Sequence, residues 1–167
     1  MKQMLDALLK ILQEETGLYG LLLDLAKRER NAIAGSNLDA LRAATDRKAA
    51  LFQKIQILEK QRRAVIEELA AALGRRPGQE LKLRDVSQYA QEPYASKLQD
   101  CRSRLLGLAT SISDISSHNR ALITHSLELV RSAFSFLNNF AASVTVYHSK
   151  GKMLDANRSG RFLSGEF

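Results

Sequence analysis

The side chains of this sequence that could do chemistry are few: three histidines, one cysteine and scattered carboxylates. His118 and His125 are seven apart and share a face if their segment is helical. Seven residues rise about 10 Å along a helix, too far for one metal ion with ligand bonds near 2 Å. Asp114 and His118, four apart, could supply two ligands, but the pattern offers no third. No metal site is expected. Cys101 stands on a line of apolar residues, where a small buried hydrophobe fits better than a nucleophile, because no base is placed beside it. Asn157-Arg158-Ser159 matches the glycosylation pattern, which has no meaning for a cytoplasmic chain. There is no Gly-rich phosphate loop, no His-Glu-x-x-His and no Gly-x-Ser-x-Gly. The expectation is a protein that is not an enzyme and carries no cofactor.

The elements that hold these residues are helices. Of 167 residues, 45% are apolar and 26% charged, with no Trp, two Pro and nine Gly. That is a globular composition weighted toward helix formers and away from β-sandwiches. A single Cys leaves no internal disulfide. The start of the chain is interrupted by Asp6, Lys10 and Glu14, so no signal peptide is read, and no run is apolar enough to span a bilayer. The expected location is the cytoplasm. The net charge of +7 is spread thinly: 12 basic and 10 acidic residues in 1–74, 9 and 6 in 75–140, 4 and 2 in 141–167. Nucleic-acid binding needs concentrated phosphate contacts, so a mixed-charge helix surface is the preferred reading.

Three long amphipathic segments follow. In the first, about residues 2–34, Leu5, Leu8, Leu12, Tyr19, Leu22, Ala26 and Ile33 recur three and four apart, the spacing of a coiled-coil seam. Glu15 and Glu29 fall on the same line, and Leu9, Leu18 and Leu25 widen it. Gly35-Ser36-Asn37 breaks the pattern, with Gly35 suited to a positive φ past the helix end and Ser36 with Asp39 resembling a capping box. The second, about 38–73, has a seam through Leu41, Ala44, Leu51, Ile55, Leu58, Val65, Leu69 and Ala72, with Lys48 and Arg62 expected to snorkel at its edge. Gly74 to Gly78 stops it, and Leu81, Leu83, Val86 and Tyr89 suggest a short helix packed on the bundle end.

The third segment, about 94–140, is the most regular. Its line runs Leu98, Cys101, Leu105, Leu108, Ile112, Ile115, Asn119, Leu122, Ser126, Leu129, Ala133, Phe136 and Phe140. A buried Asn on such a line fixes register at some loss of stability. The fold class expected is all-α: an elongated antiparallel three-helix bundle over residues 1–140, with a long C-terminal helix and a mobile tail at 141–167. The third helix, about 70 Å long, should overhang the others by about 15 Å.

Two features of this last helix exceed what a bundle needs. Ser132 to Ser149 is eighteen residues without a formal charge, twice the next longest such run. Ile123, Leu127, Val130, Phe134 and Leu137 form a second apolar line beside the first. Either both lines are core, or one is an exposed strip on which a partner helix docks.

The layout also resembles a known family. The residues that carry the likeness are Glu14-Glu15-Thr16-Gly17-Leu18-Tyr19, the turn Ala34-Gly35-Ser36-Asn37-Leu38-Asp39-Ala40-Leu41, Lys48-Ala49-Ala50-Leu51, His118-Asn119-Arg120-Ala121-Leu122-Ile123, Ser126-Leu127, and Tyr147 before Gly151. In this order they are similar to FlgN, the flagellar type III export chaperone family, over about residues 1–155. The resemblance implies a cytoplasmic chaperone that binds the hook–filament junction proteins FlgK and FlgL and delivers them to the export gate, FlhA. It implies client contacts at Ile123, Leu127, Val130, Phe134, Leu137 and Phe140, with Tyr147 as the gate-docking aromatic. The rival readings are another helical adaptor with different clients and a basic helical nucleic-acid binder. Exposed seams would also permit a homo-oligomer.

Overall fold

The computed structural model describes residues 1–75 and 81–143. Tyr147 and the Asn157-Arg158-Ser159 pattern lie outside the described residues, as does most of the expected tail. Among the described residues there are four helices: α1, Lys2–Ala34; α2, Leu38–Ala72; α3, Leu83–Tyr89; and α4, Tyr94–Ser143. The chain divides into two compact units, Met1–Ile123 and Thr124–Phe167, so the division falls inside α4.

In the first unit α1 and α2 are antiparallel neighbours, as the three-residue connection requires. The turn is built differently from the expectation. Gly35 keeps an ordinary φ of −87°, and Ser36 takes the left-handed one, 51°. The amide of Asn37 donates to Ala32 O and that of Ser36 to Ile33 O, a Schellman closure with Ser36 at the position glycine usually holds. Asn37, not Ser36, caps α2: its Oδ1 accepts from the Ala40 amide at 2.9 Å. Ser36 cannot serve as the cap because it is spent closing α1. At the other end of α2, Gly74 does adopt a positive φ of 71°.

Tyr94 Oη donates to Asp6 Oδ1 at 2.7 Å, and Asn119 reaches Ala26 and Glu29. Within the first unit α4 therefore runs parallel to α1 and antiparallel to α2. The core at the Tyr94 end joins Leu5, Leu8, Leu12, Leu69, Leu98 and Cys101, closed below by Leu81 and Val86 at α3. Those two residues do what the sequence pattern proposed for them. Tyr89 does not: it is exposed, with the Arg75 guanidinium 5.6 Å from its ring centroid.

Lys48 and Arg62 do not snorkel. Each turns inward to meet the carboxylate on the facing seam: Arg62 Nε donates to Glu15 Oε1 at 3.0 Å, and Lys48 Nζ donates to both Glu29 oxygens at 2.8 and 3.0 Å. An isolated buried carboxylate is too costly to leave unpaired, so each acid on α1 draws in the base opposite. Both pairs have the same summed residue number, as an antiparallel hairpin of one register demands. The hydrophobic layers are thus interrupted by two polar ones that admit a single alignment of α1 on α2.

Candidate functional site

Chemistry of the enzymatic kind finds little to work with among the described residues. Cys101 is buried among leucines, and that burial pushes its thiol above the usual range, away from the nucleophilic thiolate. His118 Nδ1 lies 2.7 Å from the carbonyl oxygen of Asp114, one turn back, so its contact is with the backbone and not with the Asp114 carboxylate. His125 is on the exposed side of α4, 3.9 Å from Glu128. Among the described residues no group of three potential metal ligands comes together.

Two polar layers bracket the middle of the first unit. At Glu15, desolvation raises the carboxyl pKa, and the attraction and hydrogen bond of Arg62 only partly offset this. Tyr19, one turn along, donates to Glu59 Oε1 at 3.3 Å; burial and that carboxylate push its phenol above the usual range. The second layer ties all three long helices: Asn119 of α4 donates from Nδ2 to Ala26 O (3.0 Å) and to Glu29 Oε2 (2.9 Å), and Glu29 holds Lys48 of α2. Asn119 is 2% exposed, and its Oδ1 has no hydrogen-bond partner. The expectation that Asn119 sets register rested on α4 alone. Its partners on α1 and α2 required the tertiary structure.

Beyond Asn119 the character of α4 changes. Every side chain from Arg120 to Phe140 is exposed. In the second unit Leu127, Leu129, Val130, Phe134, Phe136, Leu137 and Phe140 are each at least half exposed, and Phe136 and Phe140, one turn apart, stack with ring centroids 6.4 Å apart. At 100° per residue, these side chains with Ala133 fill about half the helix circumference. Ser126 alone interrupts that arc. The other half holds Thr124, His125, Glu128, Arg131, Ser132, Ser135, Asn138 and Asn139. A single coiled-coil seam is narrower than this. Ile123, Leu127, Val130, Phe134, Leu137 and Phe140 therefore lie together on one exposed apolar face. Leu122, Leu129 and Phe136, assigned to the bundle seam by their spacing, are exposed too, and belong to the same face.

An apolar face of this extent, without a metal cluster or reactive thiol among the described residues, is suited to holding another polypeptide. No helix among the described residues is long and apolar enough to cross a membrane. No curated protein and no solved structure matches this chain. A family model described as FlgN protein matches residues 1–155, nearly the whole length. The all-α fold, the paired long helices and this match have one reading: the chain belongs to the FlgN family of flagellar export chaperones.

Proposed function

We propose that this chain is a cytoplasmic export chaperone whose client site is the apolar half of α4 from Ile123 to Phe140. Its clients are the hook–filament junction proteins FlgK and FlgL. Their helical ends, which would otherwise assemble with one another, lie against this face until delivery to the export gate, FlhA. Tyr147 is the gate-docking aromatic. The observation that carries the reading is the exposure of Phe134 and Leu137, 67% and 58%, on a helix face that is apolar over half its circumference. Exposing so much apolar surface costs solubility, and occupancy by a client helix removes that cost. An exposed face on one helix also suits a contact that must be released.

Phe134→Asp with Leu137→Asp should abolish capture of purified FlgK and FlgL in pulldown while leaving helical circular dichroism unchanged. Undiminished capture by this variant would move the client site elsewhere. Tyr147→Ala should leave capture intact and reduce secretion of the clients; loss of both together would reject a separate docking role.

A further inference from the structure

The α1–α2 hairpin carries a second apolar surface, independent of α4. Leu18, Leu21 and Leu25 on α1 and Leu51, Ile57 and Leu58 on α2 line two adjoining concavities of 330 and 590 Å³ that share Leu21 and Lys54. Leu21 and Ile57 are more than half exposed, so the two concavities present aliphatic side chains to solvent. Gly17 lines the larger concavity, and a Cβ added there would meet nothing within 4 Å. The lining runs from Glu14 to Arg28 on α1, a length of about 21 Å or four helical turns.

The rim is electrically polarised. One end is lined by Arg28 and Arg47, with Lys54 midway, and none of these three makes an ion pair among the described residues. The carboxylate near them, Asp24, lies 3.8 Å from Lys27. The opposite end is lined by Glu14 and Gln61. An apolar trough with unpaired cations at one end is complementary to one kind of occupant.

We propose that this groove docks an amphipathic helix of a second protein, about four turns long, with aliphatic residues three and four apart and acidic residues at one end. Those acids lie beside Arg28 and Arg47. The hairpin with its docked helix then has three helices, and the client face of α4 is left unused. A second copy of this chain is a poorer fit, because the chain carries a net charge of +7 and would bring more cations to a basic rim.

The test uses the full chain and a synthetic helical peptide of about 18 residues with leucines at i, i+3, i+7 and i+10 and three glutamates in one terminal turn. The acidic peptide should shift amide resonances of residues 14–28 and 47–61, and a version with lysines in place of the glutamates should bind about tenfold more weakly. Leu21→Glu with Ile57→Glu, both at exposed positions, should lose the acidic peptide. Arg28→Glu with Arg47→Glu should reverse the preference. Phe134→Asp with Leu137→Asp should bind the acidic peptide normally, which separates this proposal from the client reading. Equal binding of both peptides, shifts confined to residues 123–140, or a dimer in ultracentrifugation that Leu21→Glu with Ile57→Glu dissolves would each overturn it.

Discussion

Leu98 and Leu129 stand on one line of α4, in the same residue type and the same register. Leu98 is fully buried and Leu129 is 59% exposed. The two stretches of helix differ in what lies against them. In the first unit the line meets α1 and α2, and at Asn119 it ends in a polar layer that fixes the alignment. In the second unit the line continues, a second one joins it, and both are exposed. A periodic apolar pattern states that a face wants a partner. It does not state that the partner belongs to the same chain. On the proposed function that difference is the working principle: one stretch of helix is satisfied internally and the other is kept for clients.

The comparison can be broken most directly by truncating both leucines. Leu98→Ala should cost about 2–5 kcal/mol in chemical denaturation, the range for a buried leucine. Leu129→Ala should stay within about 0.5 kcal/mol, as for an exposed site. Similar losses would mean that the second stretch is core after all. The polar boundary is tested by Glu29→Ala, which removes the acceptor shared by Lys48 and Asn119. A loss of about 2–3 kcal/mol is expected, less than for a fully buried pair because Lys48 keeps some contact with water. Hydrogen exchange should accelerate in α1 and α2 and stay unchanged at residues 124–140.

A gain should be as localised as a loss. Ser36→Gly relieves a left-handed residue that carries a Cβ and should stabilise the first unit by about 1 kcal/mol, read as a higher denaturation midpoint. Exchange at residues 124–140 should again not respond. The smallest effect is a sign. The folded-state pKa of Glu15 lies above its unfolded value, so folding favours the protonated carboxyl. Its favourable contribution is full below the ordinary carboxyl value of 4.5 and is lost as pH rises through the folded one. Wild type should therefore gain stability relative to Glu15→Gln as pH is lowered from 7 toward about 4.5. A relative loss would mean that Arg62 outweighs desolvation.

Much of the first unit was legible because helix signals are local. The extents of α1 and α2 follow from apolar spacing, from Gly35-Ser36-Asn37 and from Gly74, whereas α4 runs to Ser143, past the expected end at about 140. Two features were misread for reasons that are also physical. Ser36 took the left-handed position expected of Gly35, and Asn37 the cap expected of Ser36, because the choice of which residue takes the left-handed turn depends on how α1 closes its last carbonyls. Lys48 and Arg62 looked like edge residues because each helix was considered alone. Yet a signal was present: the two acids on α1 and the two bases on α2 are each fourteen residues apart and mirror one another about the turn. The α1–α2 groove left less trace, since Leu21, Ile57 and Gly17 are unexceptional until the two helices are set side by side.

What the sequence determined by itself is the set of rods, their polarity and the family they belong to, because helix periodicity, stop residues and motif order are properties of neighbours along the chain. What only the tertiary structure decided is which apolar surfaces are covered. Burial is a property of what lies opposite, and nothing in the spacing of Leu98 or Leu129 records whether a neighbour arrives.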